Sequence, residues 1–239
     1  MKHLFRFHGR RSEEGSWELM DEEWHHILKV LRLASGAAIE IADGQGWVAQ
    51  ATLDEVGKHK GSLQLSSETF QAKPLSQNEL VMGLGILKPQ GIDEVLPGLV
   101  ELGVNRLLLI PFLGMDRSRV SEKLLDRWQR QIISASKQAK AAWFPELQVL
   151  KSFDAFMEEA VLYPTRYLLD PDGTAEPLSA QLVGPVLAVI GSEGGWHETE
   201  VEKFSAHGFQ KLRLKSNILR ATTAVIATAG IFRQGMSES

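Results

Sequence analysis

A chain of 239 residues, 44% hydrophobic and 23% charged, is long enough to bury one large core or two modest ones, and its composition is that of an ordinary globular protein. With no cysteine it can hold no disulfide framework, no thiolate-ligated metal and no thiol nucleophile, which fits a reducing compartment and makes the cytoplasm the expected location. A formal net charge of −4 excludes a protein basic all over but permits local basic patches, which are what nucleic-acid binding needs.

Residues 1–11 are basic but lack an apolar core of signal-peptide length, and no later apolar run approaches membrane-spanning length, so neither export nor membrane insertion is expected. The first part of the chain reads as β-rich. Residues 4–7, 16–20, 38–43, 47–55 and 61–70 look strand-like, one helix over 22–31 interrupts them, and Asp43-Gly44-Gln45-Gly46 supplies the turn of a hairpin. Five short strands around one helix predict a small barrel or curled sheet, a shape used for RNA. The polar stretch 71–79 with its proline marks a change of pattern, and the boundary falls there, giving a domain over 1–72 and another over 73–239.

Beyond the boundary strand and helix alternate. Strand 79–87, helix 92–102 closed by Gly103, strand 106–112, a long amphipathic helix 121–143, strand 147–150, helix 152–162 and strand 166–170 predict a mainly parallel sheet with helices on its faces. Then come strand 185–190, the turn Gly191-Ser192-Glu193-Gly194-Gly195, a short helix, strand 210–214, and Asn217-Ile218-Leu219-Arg220 opening an Ala/Thr-rich helix. In such a sheet, strand-to-helix loops gather at the carboxyl ends of neighbouring strands and converge on a crevice, so these loops mark the expected ligand site.

The glycine turn follows G-x-x-G-G, not the dinucleotide G-x-G-x-x-G, and lacks the lysine and hydroxyl of a P-loop. It either makes a tight strand-to-helix turn or lets a neutral or cationic ligand approach the backbone, with Glu193 as the nearby charge. Gly208 reads as a helix stop after His207. Arg220 stands where a helix N-terminus disfavours cations, so it either pairs with a carboxylate such as Glu193 or faces an anionic substrate.

Further basic residues cluster as Lys2, Arg6, Arg10 and Arg11, and from Arg117 to Lys140. Leu124, Leu125, Trp128, Ile132 and Ala135 give the long helix an apolar stripe, leaving its charges a solvated face. Arg117 and Arg119 precede that helix, in a loop better placed for phosphate. His25 and His26 pair with no other metal ligands and no Ser/His/Asp arrangement is visible, so neither metal nor acyl-enzyme catalysis is expected.

His26-Ile27-Leu28-Lys29-Val30-Leu31-Arg32 followed by Gly36 and a hairpin, Glu101-Leu102-Gly103-Val104, Ile190 to Gly195 with Glu200-Val201 downstream, and Ile218-Leu219-Arg220 with Thr223-Ala224 run in order along nearly the whole chain. Together they resemble the RsmE-type ribosomal RNA uridine N3-methyltransferases of the SPOUT class. The resemblance implies an N-terminal PUA-like RNA-binding β-barrel and an α/β methyltransferase domain whose deep trefoil knot holds S-adenosylmethionine. It further implies a homodimer and a substrate uridine in 16S rRNA of the small ribosomal subunit. Cofactor contacts would come from Leu169, Asp170, Gly191, Ser192, Glu193, Gly194, Gly195, Leu214, Lys215, Asn217, Ile218 and Leu219, and RNA contacts from Arg6, Arg10, Arg32, Arg117 and Arg119. Uracil N3 carries a weakly acidic proton, and an arginine on a uracil carbonyl would stabilise the charge that develops when it leaves; Arg220 is the residue expected there.

The chain departs from the family pattern near the site. The family usually has proline at Ser192, glycine at Lys215, arginine at Asn217, an acidic residue at Thr222, lysine at Gly98, and a Glu-Gln-x-x-Arg pattern where Lys137-Gln138-Ala139-Lys140-Ala141 stands. Pro97-Gly98 also predicts a weakened helix. Two alternatives therefore stand beside the methyltransferase: a diverged member acting on another RNA, and a non-catalytic RNA-binding assembly factor.

Overall fold

The computed structural model describes residues 4–57, 59–73, 78–114, 120–174, 182 and 184–236. Two compact units emerge: Met1–Lys73 together with Ile133–Phe144, and Pro74–Ile132 together with Pro145–Ser239.

In the first unit β1 (Arg6–Arg11), β2 (Trp17–Leu19), β3 (Ala38–Ala42), β4 (Trp47–Val56) and β5 (Gly61–Phe70) form one sheet in the order β2-β1-β3-β4-β5, antiparallel except where β1 meets β3. Alternation decides which side chains go inside: Phe7, Ile39, Ile41, Ala51 and Leu53 fill the core with Trp24 and Ile27. The expected helix over 22–31 is split. Helix α1 (Asp21–His25) widens into a π-helix (His26–Leu31), where the N–H groups of Arg32 and Leu33 both donate to the Ile27 carbonyl and Arg32 sits left-handed at φ 52°.

The second unit holds a six-stranded sheet, entirely parallel, in the order β11-β9-β10-β6-β7-β8. Its strands are β6 (Leu80–Gly85), β7 (Arg106–Ile110), β8 (Glu146–Val149), β9 (Thr165–Thr174), β10 (Val186–Ile190) and β11 (Gln210–Leu212). β6 and β10 are buried at every residue, as strands covered on both faces must be. The helices are α2 (Pro89–Glu101), α3 (Glu122–Gln138), α4 (Phe153–Ala160), α5 (Glu198–Ala206) and α6 (Ala221–Gly235). Ser152 caps α4 by accepting from the Ala155 N–H, and α5 stops at His207 with Gly208 left-handed at φ 74°.

One expectation is corrected here. α3 ends at Gln138 rather than 143, because Lys140 turns left-handed at φ 57° and its Nζ is held by the Leu4 carbonyl and Glu40. The residues beyond lie along the Asp43–Gly46 turn, with Gly46 N–H on the Ala142 carbonyl and Phe144 N–H on that of Gly44. Pro97 and Gly98 do not interrupt α2, which runs unbroken through both; a Cβ at Gly98 would come within 2.8 Å of Ile226 Cδ1, so the glycine seats that side chain of α6.

Candidate active site

Chain order in the second sheet reverses beside β6: β7 and β8 lie to one side, and β10, β9 and β11 to the other. In open α/β sheets such a switch point leaves a crevice at the carboxyl ends of the strands. A cavity of about 1070 Å³ opens there, lined by residues 168–171 within β9, by the loops after β6, β10 and β11 and by the first turns of α2 and α6.

The floor is the glycine turn. Gly195, at φ 72°, bridges back to Ser192, its N–H donating to the Ser192 carbonyl at 2.9 Å, while Gly194 N–H meets Ser192 Oγ at 3.3 Å. A Cβ on Gly191 would lie 3.0 Å from Gly195 backbone atoms and 3.3 Å from Trp196, so this position is closed to larger residues. A Cβ on Gly194 or Gly195 would meet nothing within 4 Å, so their missing side chains leave open space. The turn is therefore both tight and approachable. Gly85 supports it from β6, where a Cβ would come within 2.9 Å of the Ser192 nitrogen.

One wall is β9 against β11. Gly173 lets them close, since a Cβ there would lie 2.8 Å from the Leu212 backbone. Asp170 shapes this wall: one oxygen accepts from Asp172 N–H at 2.9 Å and the other faces Lys211 Nζ at 3.1 Å. Its charge is already used within the protein.

Glu200 and a cluster of rings fix the rest. Glu200 is 1% exposed, and its carboxylate accepts from Leu113 N–H after β7 and from His197 N–H before α5, both at 2.7 Å. Trp196 packs on Phe112, Phe153 and Phe204 at centroid distances of 5.1–6.0 Å; its buried Nε1 has no hydrogen-bond partner among the described residues.

Arg220 is the N-cap residue of α6, extended at φ −65° and ψ 153°, and it lines the cavity. It is exposed and makes no ion pair among the described residues, so the alternative of a structural pair with Glu193 is not taken. Glu193 itself is exposed at the rim, and Ile218 is 94% exposed at the mouth. The expected residues Leu169, Asp170, Ser192, Leu214, Asn217 and Leu219 all line the cavity, whereas Lys215 does not. Sequence reasoning missed Lys88, Gln90, Gly91 and Glu94 at the start of α2, together with Trp196; Thr222, named as a departure near the site, lines the cavity too. The signal was Leu87-Lys88-Pro89, a helix start directly beyond a strand's carboxyl end.

The arginines expected to meet RNA fare differently. Arg6 is not available: its side chain is 5% exposed, with Nε 3.1 Å from Glu40 and Nη1 on the Ala141 carbonyl. Arg10 and Arg32 are exposed. Arg117 and Arg119 lie outside the described residues. Among the described residues no helix is long and apolar enough to cross a membrane, and no cluster of His, Asp and Glu could hold a metal ion.

Fold and cavity together are those of an RNA-modifying enzyme, and the chain belongs to the RNA methyltransferase domain family, whose model matches residues 73–233. Residues 19–66 match the RNA methyltransferase PUA domain. A ribosomal RNA small subunit methyltransferase E from Synechocystis is 29% identical over 229 residues, covering 88% of this chain and 70% of that protein. The crystal structure of a ribosomal RNA small subunit methyltransferase E from Neisseria gonorrhoeae bound to S-adenosyl methionine is 26% identical, with a TM-score of 0.79 over 97% of this chain and 98% of the other. A Legionella pneumophila methyltransferase, solved with bound SAM, shares the fold at a TM-score of 0.85 and 22% identity, over 99% and 100% of the two chains.

Proposed function

We propose that this protein is a methyltransferase that uses S-adenosylmethionine to methylate N3 of a uridine in 16S rRNA of the small ribosomal subunit. The observation that carries the reading is the cavity itself, walled by glycine turns and apolar side chains rather than a phosphate-binding constellation, with Arg220 at its edge and in no ion pair among the described residues. Its volume suits a ligand of that size. The open space over Gly194 and Gly195 and the apolar Leu168, Ile190, Leu212 and Leu219 fit adenine and ribose held by backbone groups. When bound, S-adenosylmethionine supplies an electrophilic sulfonium methyl.

The chain's own part is to bind, orient and polarise. The backbone of β9 at residues 168–171 and of the turns after β10 and β11 would hold a flat ligand, and Leu219 and Ile218 would shield it from water. Arg220, at the start of α6, donates to a uracil carbonyl and stabilises the negative charge left as the N3 proton departs. The reading includes a deep trefoil knot and a homodimer, both implied by the family resemblance, and a cytoplasmic setting, expected from the absence of cysteine.

A second reading, a diverged member acting on another RNA, is favoured by Thr222 and Asn217, which line the cavity where the family usually has an acidic residue and an arginine. Incubation with radiolabelled S-adenosylmethionine and small ribosomal subunits from cells lacking the corresponding methyltransferase separates the two. Label in 3-methyluridine of 16S rRNA is the expected result; cofactor binding without transfer to that RNA would replace the first reading by the second.

A further inference from the structure

Trp47, Phe70 and Trp143 form a row of rings on the first unit, and none of them belongs to its core cluster. Trp47 and Phe70 are cross-strand partners at the end of the β4–β5 hairpin with centroids 5.1 Å apart, and Phe70 meets Trp143 edge-on at 6.2 Å. Phe70 is 49% exposed. Burial does not explain such a row, yet its geometry is fixed. Trp143 Nε1 donates to the Gln71 carbonyl at 2.9 Å, and Gly46, at φ 101°, makes room for the indole, which a Cβ would approach within 2.7 Å.

Cations accompany the rings. The Arg11 guanidinium lies 3.9 Å from the Trp47 centroid, oriented by a two-pronged pair with Glu68, and so covers that ring. Lys73 Nζ stands 5.9 Å from the Trp143 centroid. Phe70 is left half exposed, edge-on to the partly buried Trp143 and beside a lysine that makes no ion pair among the described residues.

We infer that Phe70 and Trp143 form a stacking platform for an unpaired base of the substrate RNA, with Lys73 contacting the adjoining phosphate. This rests on the reading that the substrate is RNA. Rigid aromatic faces interleaved with cations suit nucleobase π-faces and the charged backbone between them. A base inside a duplex shows only its edges, so the occupant is a looped or single-stranded nucleotide.

The test compares the full-length wild type with Phe70→Ala and Phe70→Trp, the side chain being exposed enough for folding to survive. Phe70→Ala is expected to raise the KM for small subunits about tenfold with the effect on kcat small, and Phe70→Trp to restore it. Filter retention of labelled 16S rRNA, measured without S-adenosylmethionine, should fall by the same factor. Raising the salt should erase the effect of Lys73→Ala but not that of Phe70→Ala, because only the lysine acts through counterion release. KM and retention within twofold of wild type in Phe70→Ala would overturn the platform. A loss on subunits without a loss on naked rRNA would also overturn it, assigning the face to a ribosomal protein. Wild-type retention of rRNA without methyl transfer would sink the functional reading alone, leaving the platform to be judged by retention; no retention by the wild type would sink both.

Discussion

The two units solve recognition in opposite ways. In the second, the cavity is drawn by backbone: Gly191, Gly195, Gly173 and Gly85 determine its shape through the side chains they lack. In the first, the surface is drawn by side chains, and part of its positive charge is already spoken for: Arg6 and Lys140 on Glu40, Arg11 on Glu68, Lys137 on Glu23. The contrast teaches that departures from a family pattern matter unequally. Backbone walls tolerate changed side chains at Ser192 or Asn217, whereas a count of arginines overstates the charge offered to RNA.

The sharpest break should come at Glu200, the side chain on which the backbone-built site most depends. Glu200→Ala takes away the buried carboxylate that accepts from the Leu113 and His197 N–H groups and should cost about 3 kcal/mol, read by urea denaturation. Arg220→Ala should next lower kcat about 100-fold while cofactor affinity, measured by calorimetry, stays put. Gly191→Val should then weaken S-adenosylmethionine binding about thirtyfold, because the neighbours it meets are backbone and cannot swing away.

The first unit gives the smallest effect and the one that depends on pH. Burial pushes the Glu40 carboxyl up, but Lys140 and Arg6 outweigh it and hold the group below its ordinary 4.5. Its stabilisation is therefore present above pH 4.5 and lost as pH falls through the lower folded-state value. Glu40→Gln should cost about 1.5 kcal/mol at pH 7, and the gap from wild type should close in acid. An unchanged gap at pH 3 would show that the carboxylate's charge is not what matters.

Local signals account for what was legible. Alternating apolar residues and the Asp43–Gly46 turn placed the hairpin, with β5 over the expected 61–70. The glycine turn and the Asn217–Arg220 segment pointed to the loops that line the cavity. What stayed hidden were events that long-range contacts impose. Arg32 and Lys140 adopt left-handed conformations that glycine usually announces, so neither the π-helix ending nor the early stop of α3 had a visible sign. The α2 wall was missed because Ile86-Leu87-Lys88 carries no glycine turn to mark it, although β6 has a carboxyl end like its neighbours.

The unsatisfied indole of Trp196 makes the protein its own optical probe. Its nitrogen is buried in the wall of the cavity, so a ligand entering there changes the polarity around a fluorophore the chain already carries. Intrinsic emission should shift as S-adenosylmethionine is titrated in, and Trp196→Phe should abolish the shift while the other tryptophans continue to emit.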